Sequence, residues 1–430
     1  MQRADAVWGD IDSRFRGIPV DCGPVDLDAV AAFGWRPAAG DMPLPVLTLD
    51  EEAFAGNCEL MFAYARSQGV LIAPHAKTPM APALARALVN RGAWGATVAN
   101  VQQASVMARA GISRLLLANE IGGRSGARHL GAFLKAWPGV ELRAFADSPA
   151  CVAALAETAR LAGRILPVLV EVGGARAGAR HLGAVEATIA AVAGADDCLV
   201  LDGVAAYEGA VASADAAATR EAIGALLALA GEAFARVRAA APGRHLIATA
   251  GGSSYFDEVV AMLGPCVRDD GNASLVLRSG AIFFHDHGVY ARALAGLDAR
   301  GGFAIDGKFV KAAEAFRPAL RLWAEVLSRP EPGLAICGMG MRDVSFDQGM
   351  PVPLEAFRDG VPLGRLESAA VVKLNDQHAF LQVPDNAALA VGDIVAFGIS
   401  HPCTCLDRWR LVFGLGPDGR VASVYPTFFG

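Results

Sequence analysis

From residue 70 onward the chain alternates short apolar runs with longer stretches rich in alanine and leucine. The apolar runs fall at residues 70–77, 94–99, 114–119, 141–146, 165–172, 198–206, 245–250 and 274–284. The stretches between them, such as 81–90 and 102–110, have helical character. Eight strands alternating with helices predict an α/β fold, a closed parallel (β/α)8 TIM barrel. An open doubly wound sheet is the competing arrangement, and strand count alone does not exclude it.

The pattern differs on either side. Residues 1–45 are broken by Pro19, Pro24, Pro37, Pro43 and Pro45, which prevent long elements. Residues 46–49 read as a strand, and Asp50 caps a helix expected to reach about Ser67. After about residue 300 the alternation stops. Strands are expected at 323–327, 334–337, 371–374, 380–383 and 394–397, separated by turns such as Pro384-Asp385-Asn386. The expected organisation is an N-terminal extension (1–45) packing on a β domain, a barrel (46–295) and a C-terminal β-rich domain (296–430). Strand 46–49 is expected to join the β domain.

Length and composition narrow the class. A chain of 430 residues can build two substantial cores. With 53% hydrophobic and 19% charged residues it does not fit a disordered chain. A net charge of −6 gives no reason to expect nucleic acid or an anionic membrane as partner. No charge-free apolar stretch of about 20 residues is present, so no membrane span is expected. Met1-Gln2-Arg3-Ala4-Asp5 has no apolar run behind it, which argues against a signal peptide. The eight cysteines lie mostly in apolar runs, as at Cys151, Cys198 and Cys266, and suggest reduced thiols in a cytoplasmic protein.

The strand ends are unusually polar, and barrels place chemistry there. The first run ends Pro74-His75-Ala76-Lys77-Thr78. Strand alternation puts His75 and Lys77 on one face. A buried lysine is costly without a partner, and desolvation would favour its neutral amine, the form that Schiff-base chemistry needs. A surface lysine just past a strand explains the same residues equally well. The last two runs are followed by Gly251-Gly252-Ser253-Ser254 and Arg278-Ser279-Gly280. Their position suits a phosphate held by backbone N–H groups, and a plain turn is the simpler alternative.

In the second half, His401 and Cys403 are two residues apart, so an extended segment points both the same way. Imidazole and thiolate suit zinc, but structural sites use four ligands, so water or substrate would have to complete the sphere. A buried cysteine beside a capping histidine is the alternative. His285-Asp286-His287 could hold a metal, although a polar turn after the eighth strand is simpler. Gly414-Leu415-Gly416-Pro417-Asp418-Gly419 matches G-x-G-x-x-G but precedes a strand at 421–424, so it reads as a hairpin turn and not a dinucleotide site.

Pro74-His75-Ala76-Lys77-Thr78 resembles the lysine motif of the D-serine dehydratase and D-threonine aldolase family, which shares an alanine racemase-like barrel. Further matching segments are Glu171-Val172-Gly173 leading to Arg176 and Gly178, Ala206-Tyr207-Glu208-Gly209, Gly251-Gly252-Ser253 and Leu277-Arg278-Ser279-Gly280. Asp376-Gln377-His378, Gly392-Asp393 and Ser400-His401-Pro402-Cys403-Thr404 match in the second domain. The resemblance spans about residues 45–428 and is strongest to bacterial D-serine deaminase-like proteins. Ala76 departs from it, since many relatives have glycine there.

The resemblance implies pyridoxal 5'-phosphate on Lys77, which also acts as catalytic base. It implies cofactor contacts from His75, Arg176, Tyr207, Gly251, Gly252, Ser253, Arg278, Ser279 and Gly280. It further implies a divalent metal, zinc, on His401 and Cys403, and a homodimer. The expected activity is dehydration of D-configured β-hydroxy amino acids such as D-serine to a 2-oxo acid and ammonia. Dehydratases of this family carry His-x-Cys and the aldolases His-x-Asp, so Cys403 tilts toward dehydration. A metal-dependent D-threonine aldolase and a non-catalytic cofactor-binding protein are the alternatives.

Overall fold

The computed structural model describes residues 10–429. The first regular strand, β1 (Val46–Asp50), leads into helix α1 (Glu51–Gln68). Asp50 caps this helix, its carboxylate accepting from Ala53 N–H at 2.9 Å. The alternating units then follow as β2 (Leu71–Ile72), α2 (Pro82–Asn90), β3 (Ala96–Val98), α3 (Val101–Arg109), β4 (Arg114–Glu120), α4 (Gly123–Ala136), β5 (Glu141–Ala146) and α5 (Pro149–Ala162). They continue as β6 (Leu166–Val172), α6 (Leu182–Ala193), β7 (Leu199–Ala206), α7 (Ala216–Ala240), β8 (Leu246–Ala250), α8 (Phe256–Asp270), β9 (Ala273–Leu277) and α9 (Val289–Arg300).

The eight strands β2 to β9 form one parallel sheet in the order β2-β9-β8-β7-β6-β5-β4-β3. Its two ends meet. Trp94 N–H donates to Ile72 O at 2.7 Å, Thr97 N–H to Pro74 O at 2.9 Å, and Ala76 N–H to Thr97 O at 2.8 Å. The sheet is therefore a closed barrel and not an open doubly wound sheet. Ala73, Leu116, Phe145, Leu169, Ala205, Ile247 and Val276 fill its interior, so the only room for chemistry is at its mouth.

Three expected strands are much shorter than their apolar runs, and the run 94–99 is regular only at Ala96–Val98. The run 70–77 is regular only at Leu71–Ile72. The run 274–284 stops at Leu277, and Ala281–Phe283 form a 3-10 turn. Just beyond the regular parts of the first and last runs two backbones approach closely. A Cβ on Gly280 would lie 2.6 Å from His75 O and 2.9 Å from His75 N.

The chain then makes a small hairpin, β10 (Ala304–Ile305) and β11 (Lys308–Phe309), and a short helix α10 (Ala312–Ala315). The second sheet follows with β12 (Leu320–Glu331), β13 (Leu334–Cys337), β14 (Val352–Arg358), β15 (Val361–Arg365), β16 (Ala370–Leu374), β17 (Ala379–Gln382) and β18 (Ile394–Gly398). A short helix α11 (Pro402–Leu406) precedes β19 (Leu411–Leu415) and β20 (Val421–Pro426). The main path is β15-β14-β18-β12-β1-β19-β20, with β13, β16 and β17 attached alongside β12. β1 pairs antiparallel with β12 and parallel with β19, inside this sheet. Strands β14, β15 and β19 had no counterpart in the sequence reading.

Ile11, Ile18, Val25, Val30, Trp35 and Met42 pack on Val46, Trp323 and Phe413 of this sheet. The G-x-G-x-x-G segment is the turn between β19 and β20, where Gly416 N–H donates to Arg420 O at 2.9 Å. Among the described residues no helix is long and apolar enough to cross a membrane.

Candidate active site

A cavity of about 330 Å³ opens where the barrel strands end. The barrel contributes His75, Lys77, Thr78, Asn119, Arg176, Tyr207, Gly252, Ser253, Arg278 and Gly280 to its wall. His401 and Cys403, at the start of the short helix α11, and Tyr290 of α9 also line it. Residues more than 300 positions apart in sequence thus share one chamber.

Lys77 lines this chamber. Burial by the surrounding protein lowers its pKa, with Arg176 and Arg278 adding to that and Cys403 opposing it. The amine is therefore biased toward the neutral form, as burial at a strand end requires. His75 is held well below its ordinary value by burial and by the Lys77 charge, so its ring is neutral. Lys77 N–H points to His75 Nδ1 at 3.4 Å. Thr78 Oγ1 lies 3.3 Å from Cys403 Sγ and joins the lysine segment to the second sheet.

The two glycine-bearing loops are tied together beneath the chamber. Glu208, wholly buried, accepts from Gly251 N–H at 3.0 Å and from Gly252 N–H at 2.6 Å. Those two amides are thus occupied by a carboxylate. Ser279 Oγ donates to Gly251 O at 3.0 Å and Gly252 O at 3.2 Å. Gly251 and Ser279 are not part of the cavity wall and brace the loops from behind. Ser253, Gly280 and Ala281 face the cavity instead. Ser253 Oγ accepts from Ile282 N–H at 3.1 Å and also bonds Tyr290. Gly252 is needed because a Cβ would meet the Tyr207 ring at 2.8 Å.

Arg278 is fixed at the floor. Its guanidinium donates to Ala206 O at 2.6 Å and Thr249 Oγ1 at 3.0 Å, over the Phe145 ring. Arg176 stacks its guanidinium 4.9 Å from the Tyr207 ring centre and lies 4.0 Å from Glu171. Glu171 does not neutralise it. Burial, and a hydrogen bond shared with Glu120, push the Glu171 carboxyl up to about 9, so it is protonated near neutral pH. Among the described residues no carboxylate lines the chamber, whereas Lys77, Arg176 and Arg278 do. A chamber of this character favours anionic ligands.

His401 and Cys403 flank the start of α11. Burial opposes a charged His401 ring, but Cys403 and Asp347 beside it outweigh that and push it up to about 9. Among the described residues no group of three or more His, Cys, Asp or Glu converges to hold a metal ion. A metal on this pair would need water or a ligand to complete its sphere. His285-Asp286-His287 is a turn. Asp286 Oδ1 accepts from Gly288 N–H at 2.7 Å and Tyr290 N–H at 3.0 Å, ahead of α9. Asp376 and His378 sit in the β16–β17 turn, and Asp393 pairs with Arg358 at 2.8 Å, all outside the cavity wall.

Tyr290, Glu208 and Asp347 were missed as site residues. Glu208 stood within a matched segment, Ala206-Tyr207-Glu208-Gly209, but its bonds to Gly251 and Gly252 join positions that only the fold brings together. Tyr290 and Asp347 lie in stretches with no pattern that signals a site.

The barrel with its second sheet is an alanine racemase-like fold. Residues 319–415 match the model of the putative serine dehydratase domain. The 3-hydroxy-D-aspartate aldolase of Paracoccus denitrificans (strain Pd 1222) is 26% identical over 395 residues, covering 90% of this chain and 92% of the relative. The structure of D-threonine aldolase from Filomicrobium marinum superposes with a TM-score of 0.70 at 27% identity, over 90% of this chain and 95% of that one. D-threo-3-hydroxyaspartate dehydratase from Delftia sp. HT23 has the same fold, with a TM-score of 0.66 at 22% identity over 90% and 97%. The chain is thus similar, along most of its length, to aldolases and dehydratases that act on D-configured hydroxy amino acids, and residues 319–415 carry the serine dehydratase-type domain.

Proposed function

We propose that the protein is a pyridoxal 5'-phosphate- and metal-dependent lyase that dehydrates D-configured β-hydroxy amino acids such as D-serine. The observation that carries this reading is Lys77, an amine biased toward its neutral form, in one chamber with His401 and Cys403. The residues fit the cofactor. Lys77 would hold it covalently, and Ser253, Gly280 and Tyr290 would receive its phosphate. Arg176 and Tyr207 would flank the ring, and Arg278 would lie beneath it. His75 stays neutral below Lys77 and does not compete for its charge. The donor set at His401 and Cys403 suits zinc, completed from solvent or substrate.

The cofactor supplies an electron sink for negative charge at the substrate Cα, and the metal supplies a Lewis acid for a departing hydroxide. The chain's own groups do the rest. Arg176 attracts and orients the anionic substrate. The Lys77 amine takes the proton from Cα, a task for which its lowered pKa suits it. Thr78 holds Cys403 against the lysine segment, so base and metal ligands keep a fixed spacing. The β-hydroxyl leaves as water, and the released 2-amino-2-alkenoic acid takes up one water to give a 2-oxo acid and ammonia.

A metal-dependent aldolase, yielding glycine and an aldehyde, is the second reading. The relatives named above at 26% and 27% identity carry aldolase names. Product analysis after incubation with a panel of D-amino acids separates the two. The cofactor assignment is tested by Lys77→Ala, which should lose the visible absorbance of the bound cofactor together with turnover. An unchanged spectrum in Lys77→Ala would overturn it.

A further inference from the structure

Imidazole offers a metal two nitrogens, and a flexible histidine divides its time between them and between ring orientations. His401 is not flexible. Its Nδ1 lies 2.7 Å from Asp347 Oδ2. A carboxylate only accepts, so Nδ1 is committed as a donor, and Nε2 is the nitrogen that a metal would take in exchange for its proton. The other oxygen, Asp347 Oδ1, accepts from Thr404 Oγ1 at 2.6 Å. Thr404 is the residue after Cys403, so one carboxylate spans the histidine and the helix turn that carries the cysteine.

The loop bearing Asp347 is itself anchored. Ser345 Oγ accepts from His401 N–H at 3.1 Å, and Ser400 Oγ donates to Ser345 O at 3.3 Å. Trp409 Nε1–H donates to Asp343 O at 2.8 Å. Asp343 is buried and accepts from Gly340 N–H at 2.8 Å and Arg16 at 2.7 Å. The segment 340–347 is thus laced to 400–409 along its length. Asp347 sits at the end of that lacing with both oxygens committed.

We infer that Asp347 is a positioning residue that presents His401 Nε2, and through Thr404 the Cys403 turn, to a divalent metal. It touches neither metal nor substrate and acts through His401. This rests on the metal reading given above. Outer partners of metal-bound histidines fix tautomer and ring orientation, and losing one weakens metal affinity about 10- to 100-fold.

The test is zinc affinity of the full-length protein, measured by competition with a chromogenic chelator, together with the visible spectrum of the cobalt-substituted protein. Asp347→Ala should bind zinc 10- to 100-fold more weakly and shift the cobalt bands, while cofactor absorbance and thermal unfolding of the metal-free protein stay as in wild type. Asp347→Asn, which retains an acceptor, should recover part of the loss. Thr404→Val should weaken binding in the wild type but add nothing in Asp347→Ala, because Thr404 acts through the same carboxylate. Wild-type affinity in Asp347→Ala, or a Thr404→Val effect of equal size in both backgrounds, would overturn the inference alone. A wild type that binds no zinc would overturn the metal reading, and the inference with it.

Discussion

Glu171 gives a prediction whose size can be worked out. Its side chain is 2% exposed at the end of β6, shares a hydrogen bond with Glu120 and is pushed up to about 9 from a usual 4.5. Between those values the folded protein holds a proton that the unfolded chain has released. Folding stability therefore falls as pH rises through that interval, by about 1.4 kcal/mol per pH unit. From pH 5.5 to 7.5 the loss is about 2–3 kcal/mol. Glutamine at this position copies the protonated acid in shape, can still donate to Glu120, and cannot ionise. In urea denaturation at pH 5.5, 6.5 and 7.5, Glu171→Gln should gain on wild type by about 1.4 kcal/mol at each step. Arg176 should hold an anionic ligand as before, because the neutral state of its neighbour is preserved. A constant difference between the two proteins across the three pH values would refute the assignment of a protonated Glu171.

Three further outcomes are expected. Chelation or Cys403→Ala should slow 2-oxo acid formation on the order of a thousandfold, while Cα–H exchange in deuterated water and cofactor absorbance persist; elimination at full rate with a verified metal content of zero would remove the metal role of His401 and Cys403. Gly280→Ala should lower cofactor occupancy and cost about 1–3 kcal/mol in stability, since its Cβ meets the His75 backbone; wild-type occupancy and melting behaviour would show the contact to be soft. D-serine but not L-serine should react, because Lys77 serves one face of the substrate, and equal turnover of both would point to a racemase-like site.

Much of the barrel was legible because each of its strands is apolar for most of its length and is followed by a helix with its own composition. The ends of β2 and β9 were not legible, since no local pattern reports that Gly280 will meet His75. In the second sheet, β14 and β15 contain Pro353 and Pro362, which suppress a strand reading in sequence; Pro362 is tolerated on the edge strand β15, and Pro353 at an irregularity of the β14–β18 register. The residues drawn into the chamber followed the same division. Lys77, His401 and Cys403 stand in compact motifs. Glu208, Tyr290 and Asp347 take their place from contacts that only the fold creates, and nothing next to them in the chain marks it.

The membership of β1 in the second sheet has a consequence for biogenesis. Val46–Asp50 leaves the ribosome before any barrel strand, yet its partners are Leu320–Trp323 and Phe413–Leu415. The barrel is therefore synthesised as an insert in an unfinished sheet, and β1 must wait with its edges unpaired for more than 250 residues of translation. Truncations placed after residue 300 would release a complete barrel tied to an orphan strand that is prone to pairing between chains. An expressed barrel fragment should therefore begin at Glu51 or later and not at the first strand of the chain.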